Sequence, residues 1–109
     1  MDQNISFEDW QKLKLKTAEI LQVEDIKDSD KLYKLTIDLG TETRTLVAGL
    51  KPYYTKEELE GKKCIVFTNL EPKTIKGIES QGMLLAAGDK NKCILLCPDK
   101  KTEDNLKIK

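Results

Sequence analysis

Thr55-Lys56-Glu57-Glu58-Leu59-Glu60-Gly61 is the stretch that decides the fold, because it predicts one brief helix between two β-like runs. Thr55 and Glu58 have the S/T-x-x-E spacing of a capping box, in which each side chain bonds the backbone amide of the other residue. Gly61 predicts the end of this helix after one or two turns. A helix this short is a connection within a β-structure and not a layer of its own.

The runs on both sides of this helix predict strands. Lys31 to Leu39 alternates apolar and polar residues, and Gly40-Thr41-Glu42 predicts a hairpin turn into the next run. In the first run, Leu13 to Val23, the alternation changes phase, which indicates a bulge or bend that lets one strand serve two faces. The predicted strands are residues 13–23, 31–39, 43–50, 63–70 and 83–87, with a sixth at 93–97.

Five strands with a short helix between the third and the fourth predict an all-β protein with the OB-fold, a five-stranded Greek-key barrel. An SH3-like barrel would lack a helix at that place, and a ferredoxin-like fold would need two longer helices. The length of 109 residues predicts a single domain over residues 1–109.

Two short extensions flank the predicted barrel. Ser6 and Asp9 fit a capping box variant that opens a helix to about Leu13, with Phe7 and Trp10 packed on the core. The C-terminal extension, residues 99–109, is polar but ends in two apolar residues, Leu106 and Ile108, in strand alternation. It is predicted to cover a sheet edge or to pair with a second chain, as a dimerisation element.

The composition argues against catalysis and against a metal site. The chain has no histidine, which removes the commonest general acid and base, so no enzymatic activity and no catalytic residue are predicted. Its three cysteines, Cys64, Cys93 and Cys97, form no C-x-x-C pair, so we expect free thiols and neither metal nor cofactor. No apolar run approaches the roughly 18 residues that span a bilayer, and the N-terminus lacks a secretory pattern, which predicts a cytoplasmic protein without a membrane partner.

The connection from Asn69 to Ala87 carries the binding chemistry. It is longer than a simple turn and holds a proline, two lysines three residues apart, and Ser-Gln-Gly-Met at residues 80–83. It offers hydrogen-bond donors without an acid–base pair, an inventory that suits holding a phosphate backbone. Basic and acidic residues number 19 each, so a strongly non-specific nucleic-acid binder, which is usually basic, is not expected.

Several blocks, in order and at matching spacing, resemble the tRNA-binding domain family. This family includes the β-subunit or C-terminal domain of methionyl-tRNA synthetases and free-standing tRNA-binding proteins. The matching blocks are Asp30-Lys31-Leu32-Tyr33, Val47-Ala48-Gly49-Leu50, Pro52-Tyr53-Tyr54, Glu57-Glu58-Leu59, Gly61-Lys62-Lys63, Asn69-Leu70 and Met83-Leu84-Leu85-Ala86. The chain departs from the family pattern at Ala18, where a glycine is common, and at Thr74, where a second basic residue is common.

The resemblance implies an OB-fold homodimer that binds the elbow of tRNA by shape and works with a methionyl-tRNA synthetase in cis or in trans. Lys73 and Lys76 are the first candidates for phosphate contacts, because cations on an exposed loop neutralise the RNA backbone. The other candidate RNA-binding residues in this connection are Asn69, Ser80, Gln81, Gly82 and Met83, and the secondary candidates are Lys16, Lys31 and Arg44.

Other interpretations remain open at this stage. A lysine on a loop is often only solvated, and Asn and Ser side chains often bond nearby backbone. Met83 is as well suited to a core position as to a base contact. A secretion-type, peptide-binding chaperone uses the same barrel, and a purely structural subunit is a third possibility.

Overall fold

The structure is a computed structural model that describes residues 3–109. Two helical turns and nine strands follow one another along this part of the chain: α1 (Phe7–Trp10), β1 (Leu15–Asp25), β2 (Tyr33–Asp38), β3 (Thr43–Ala48), α2 (Lys56–Leu59), β4 (Lys63–Phe67), β5 (Lys73–Ile75), β6 (Ile78–Ser80), β7 (Met83–Leu84), β8 (Ala86–Asp89) and β9 (Lys92–Leu95). Within the described residues, no helix is long and apolar enough to cross a membrane.

Five strands form one curled antiparallel sheet in the order β3-β2-β1-β4-β7, and α2 lies between β3 and β4 in the chain. This order confirms the predicted OB-fold, since curling brings β3 at one end of the sheet towards β7 at the other. The hairpins β5–β6 and β8–β9 are two further small sheets.

Strand β1 is the long strand that both halves of the barrel share. Its residues Leu15 to Glu19 pair with β4, and its residues from Glu19 to Asp25 pair with β2. The register shifts between Ile20 and Gln22, at the place where the apolar alternation changes phase. The predicted bulge is confirmed, and it bends β1 from one half of the barrel into the other.

Both helical turns begin as the sequence predicts. At α2, the Glu58 amide donates to Thr55 Oγ1 over 3.2 Å and the Thr55 amide donates to Glu58 Oε1 over 2.7 Å, so the capping box is complete. The first helical turn ends at Trp10, earlier than predicted. Phe7 is 71% exposed, so the expectation that it packs on the core is wrong. The sheet's own side chains and Leu59 already fill the barrel, which leaves α1 outside it.

The core lies inside the barrel and comes mostly from alternate positions of the strands. Its members are Ala18, Ile20, Val23, Tyr33, Leu35, Ile37, Leu39, Leu46, Leu50, Leu59, Cys64, Val66 and Leu95. The alternation in β2 is complete, because Tyr33, Leu35 and Ile37 are buried and the residues between them are not. At this barrel size, side chains alone fill the interior.

The C-terminal half of the chain differs from the prediction in detail. The connection from Asn69 contains the hairpin β5–β6, whose turn residues Lys76 and Gly77 both have positive φ, +53° and +78°. The predicted fifth strand is divided: β7 pairs with β4, whereas β8 leaves the sheet and pairs with β9. Runs of three or four residues with little alternation do not show these breaks in the sequence.

The C-terminal extension lies along the chain's own β1. The amides of Asn105, Leu106 and Ile108 donate to Thr17 O, Thr17 Oγ1 and Leu15 O over 2.7, 2.9 and 2.9 Å. Thr17 Oγ1 donates in turn to Glu103 O over 2.9 Å. Of the two predicted roles, covering a sheet edge is the one that the structure shows.

The barrel closes where β3 meets the segment before β7, a contact that we call the seam. Side chains make some of its hydrogen bonds. The Gln81 amide donates to Thr45 O over 2.8 Å, and Gln81 Oε1 accepts from the Thr45 amide over 3.0 Å. One step along, the Val47 amide donates to Ser80 Oγ over 3.0 Å. At Gly82, φ is +150°, and an added Cβ would lie 2.9 Å from Phe67 O. The seam therefore needs glycine at this position.

We expect Thr17→Val to lower the free energy of unfolding by about 1–3 kcal/mol, because it leaves the Leu106 amide and the Glu103 carbonyl of the tail without their partner, the buried Thr17 hydroxyl. Urea unfolding measures the change, and hydrogen exchange at Leu106 should become faster. Thr36→Val in β2, where the side chain is half-buried, is the matched control. Equal stability of the two variants would show that the tail does not depend on Thr17.

Gly82→Ala is expected to destabilise the barrel by more than about 1 kcal/mol, because the new methyl group meets backbone and the residue must hold a positive φ. Gly49→Ala is the control, since an added Cβ there meets only Lys31 O at 4.0 Å. Thermal unfolding of the two variants compares them. If Gly82→Ala melts at the wild-type temperature, the seam is looser than described.

Candidate nucleic-acid interface

The hairpin β5–β6 presents one face to the barrel and one to solvent. Lys73 pairs with Ser80, Thr74 with Glu79 and Ile75 with Ile78. Directly paired residues lie on the same face of a sheet. Because Ser80 is buried in the seam, Lys73 and Ile75 lie on the barrel side, and Thr74 and Glu79 lie on the outer side.

The two lysines predicted to contact phosphate lie on this hairpin. Lys73 is exposed at the start of β5, and Lys76 is exposed at the turn. Two consecutive residues with positive φ make a type I′ turn, where Asn and Gly are the favoured residues. A lysine in this position is unusual, and the turn places the exposed Lys76 at the tip of the hairpin.

Ser80 and Gln81 hold the barrel together at the seam. Ser80 is 6% exposed, and its hydroxyl accepts from the Val47 amide and donates to Gly82 O over 3.2 Å. The Gln81 oxygen accepts from the Thr45 amide, and its nitrogen reaches Glu79 Oε1 at 3.5 Å. These side chains therefore position the segment that carries Met83.

Asn69 and Arg44 are engaged within the protein in the same way. Asn69 accepts from the Lys14 amide and donates to Lys12 O, each over 2.8 Å, which fastens the start of β1 to the end of β4. Arg44 Nη1 donates to Thr68 O and Gln81 O over 2.5 and 3.2 Å. Its Nη2 atom lies 3.1 Å from Glu42 Oε2, and this hydrogen bond lowers the pKa of Glu42. Arg44 is a secondary candidate for RNA contact, but its guanidinium group spans the seam and is bound by the protein's own carbonyl groups.

The two secondary lysine candidates, Lys16 and Lys31, lie outside the β5–β6 hairpin. Lys16 is half-buried, and its Nζ atom donates to Asn105 Oδ1 of the tail over 3.3 Å. Lys31 was placed in a strand, but β2 begins at Tyr33, and Lys31 is exposed in the preceding turn. The Lys31 carbonyl accepts from the Lys51 amide over 3.2 Å, so residue 31 is joined to the segment after β3 outside the regular ladder.

Met83 is the apolar member of the candidate site. Its side chain is 45% exposed, whereas Leu84, the other residue of β7, is half-buried. It lines a hollow of about 170 Å³ between the hairpin and the barrel, together with Val47, Leu70, Glu71, Lys73, Ile75, Ser80 and Gly82. Of the ten residues predicted from the sequence, four, Lys73, Ser80, Gly82 and Met83, thus share one surface.

Sequence reasoning did not single out four of the residues that line this hollow: Val47, Leu70, Glu71 and Ile75. Leu70 is 40% exposed at the end of the predicted fourth strand, where the alternation alone suggests a core residue. Glu71 was noted only as part of the connection. The available signal was Pro72, which lacks a backbone N–H and therefore predicts that the chain has left the sheet before it.

No group of three or more His, Cys, Asp or Glu residues that could hold a metal ion occurs in residues 3–109. Cys64 is buried, and burial raises the pKa of its thiol to about 12. That thiol is neutral at physiological pH, and a neutral thiol is a poor nucleophile and a poor metal ligand. The chemistry that the surface offers is charge, hydrogen bonding and apolar contact.

Comparisons with known proteins agree on one family. A family model described as "Putative tRNA binding domain" matches residues 15–105. The chain is 51% identical over 105 residues to a methionine–tRNA ligase of Pyrococcus horikoshii; the match covers 96% of the chain but 14% of the length of that ligase.

Solved structures give the same result. A MetRS-related protein of Pyrococcus horikoshii has a TM-score of 0.92 and 35% identity, covering 98% of this chain and 99% of the other. The CsaA chaperone protein of Picrophilus torridus has a TM-score of 0.88 and 32% identity, covering 97% of this chain and 100% of the other. The barrel, the matched range and these identities show that the chain belongs to the tRNA-binding domain family.

Proposed function

We propose that this protein binds tRNA through the β5–β6 hairpin and the surface around Met83, without catalytic activity of its own. The observation that carries the proposal is the position of Lys73 and Lys76, two exposed cations on the β5–β6 hairpin, which leads into Ser80 of the barrel seam. Phosphate contacts from such cations position an RNA without reading its sequence.

The polar residues around the hairpin support recognition of shape over sequence. Asn69, Ser80 and Gln81 have side chains largely occupied by the barrel, which leaves them little capacity to read base edges. Their proposed role as RNA contacts is therefore limited to the hydrogen-bonding positions that the protein leaves free, such as the second proton of an amide. The resemblance supports the tRNA elbow, common to all tRNAs, as the part that is bound.

Removing both charges from the hairpin should weaken binding to all tRNAs alike. We expect Lys73→Gln with Lys76→Asn to reduce the slope of log affinity against log salt by about 1–2, because two phosphate contacts are lost. Asn is chosen at residue 76 because it tolerates the positive φ of the turn, so the hairpin persists. Gel shifts with purified tRNA species at several salt concentrations measure the slope.

The matched control is Lys90→Asn with Lys92→Gln, which removes two exposed lysines from the other hairpin, β8–β9. This variant should bind tRNA with the wild-type slope. The proposal is contradicted if both double variants lose the same affinity, or if the hairpin variant loses affinity for one tRNA species only.

The relatives support a role beside a methionyl-tRNA synthetase. The chain matches a short part of a methionine–tRNA ligase and nearly the whole of a MetRS-related protein, which fits a module working either in cis or in trans. A bound tRNA would have a higher effective concentration near a synthetase active site than a free one. A location in the cytoplasm, as predicted from the sequence, is part of this proposal.

The second candidate function is that of a dimeric chaperone that binds peptides, which the similarity to the CsaA chaperone protein supports. Ionic strength separates the two functions. Binding to RNA phosphates weakens steeply as salt rises, whereas apolar peptide capture does not.

We also propose a homodimer, in which a second copy covers α1 and the C-terminal tail. Ile5 and Phe7 are exposed beside Trp10 and Leu13, where they line an open apolar hollow. The tail reaches the start of β1, because the Ile108 amide donates to Leu15 O, and its Leu106 is 42% exposed. Exposed apolar residues on both extensions favour contact with another protein surface.

Light scattering at micromolar concentration is expected to give the mass of two chains for the wild type and of one chain for Phe7→Glu with Leu106→Glu. Both side chains are exposed, so the barrel should still fold. Leu21→Glu, at an exposed apolar residue on the bulge of β1, is the control and should remain dimeric. A wild-type monomer at tens of micromolar would contradict the proposal.

A further inference from the structure

Two hollows lie on either side of Met83 and Val47. One, of about 170 Å³, is the hollow below the β5–β6 hairpin described above. The other, of about 220 Å³, lies between the end of β3 and the segment from Met83 to Ala86, with Cys93 and Leu95 of β9 lining it as well. Val47 and Met83 line both hollows and form the wall between them.

The second hollow exists because the seam is incomplete. Among the described residues, the hydrogen bonds that join β3 to the opposite edge end at the Val47 amide. Beyond it, none of the strands in residues 3–109 pairs with Ala48 or Gly49 on that side, since β8 pairs with β9 instead. The barrel therefore has an apolar opening beside the hairpin that carries the two lysines.

The size of each hollow fits one planar ring. An apolar cavity of about 150 Å³ in another protein takes up one benzene molecule, so 170 and 220 Å³ correspond to one heterocyclic ring or ring pair each. The walls are mostly apolar, which suits the faces of a base. Lys73 also lines the smaller hollow, so a cation lies beside the apolar walls and can contact the phosphate of an inserted nucleotide.

We propose that the bound RNA inserts unstacked bases into these hollows, on the two sides of Met83. The thioether of Met83 contacts the base faces, because a polarisable sulfur packs well against aromatic rings. Met83 is 45% exposed, so its apolar side chain adds little to the core of the barrel. A bound base would cover this exposed surface. The inference rests on the proposed tRNA binding and adds a base-binding subsite to it.

Insertion of bases is compatible with recognition of all tRNAs. The hollows offer apolar walls and few free hydrogen-bonding groups, since the Ser80 hydroxyl is already engaged. Stacking without hydrogen bonds to base edges tolerates any base, because every base has a π-face. RNA is commonly bound through unstacked bases of its loops, which are the bases available for such insertion.

The methionine content of the chain gives a direct test, because Met1 and Met83 are the only methionines. Labelling with ¹³C-methyl methionine gives two methyl signals, and Met83→Leu identifies the one from residue 83. Protons above an aromatic plane are shielded, so tRNA should move the Met83 methyl signal upfield. Inorganic polyphosphate, which offers phosphate without bases, should leave that signal nearly unchanged.

Affinity provides the second readout. Met83→Ala is expected to weaken tRNA binding about two- to tenfold, the range of sulfur–aromatic contacts, and to leave the salt slope unchanged because no charge is removed. Leu21→Ala is the matched control, since Leu21 is 44% exposed and lies on the bulge of β1, outside both hollows. It should bind as the wild type does.

The outcomes separate this inference from the proposed function. If a gel shift shows tRNA bound to the wild type while the Met83 methyl signal stays in place, base insertion is wrong and phosphate binding stands. If the wild type does not bind tRNA at low salt, both are wrong. If an apolar peptide moves the Met83 signal and tRNA does not, the hollows bind peptide side chains and the inference is overturned.

Discussion

The closure of the barrel at the seam is the constraint on which the rest of the structure depends. β3 lies at one end of the sheet and β7 at the other, and β7 has only two residues in the ladder with β4. So short a strand cannot complete a backbone ladder on both sides. The Ser80 hydroxyl and the Gln81 amide therefore bond the amides of Val47 and Thr45 in place of backbone carbonyls.

The same seam determines where the functional surface lies. The hairpin β5–β6 leads directly into Ser80, so the closure of the barrel fixes the orientation of Lys73 relative to the sheet. Gly82 allows the chain to pass close to Phe67 before it turns out at Met83. Residues that hold the seam and residues that are free to meet a ligand thus alternate within one short segment, which explains why they are so difficult to distinguish in the sequence.

Much of the fold follows from local patterns. The capping box at Thr55, the bulge in β1 and the clean alternation of β2 are local signals, and the structure confirms each of them. The breaks after residue 69 were missed because they depend on which distant strand is available as a partner. The position of Phe7 was wrong for a similar reason, since spacing within a helix does not reveal whether the core has room.

The sequence predicted where the candidate residues lie better than it predicted what their side chains bind. Exposed lysines on the connection were expected and are present. Ser80, Gln81, Asn69 and Arg44 have the chemistry of ligand contacts, but their hydrogen bonds join residues far apart in the chain, such as Arg44 with Thr68. Sequence spacing does not encode those pairs. The hollows beside Met83 result from an incomplete seam between distant strands, and no sequence motif predicts them.

Lysine footprinting tests the central claim most directly, because it reports which amines the bound RNA covers. The protein is acetylated briefly with and without tRNA, and the modified peptides are quantified by mass spectrometry. We expect tRNA to protect Lys73 and Lys76 strongly and to leave Lys90 and Lys92 of the other hairpin reactive, and high salt should abolish the protection. Equal reactivity of Lys73 and Lys76 with and without bound tRNA would contradict the account.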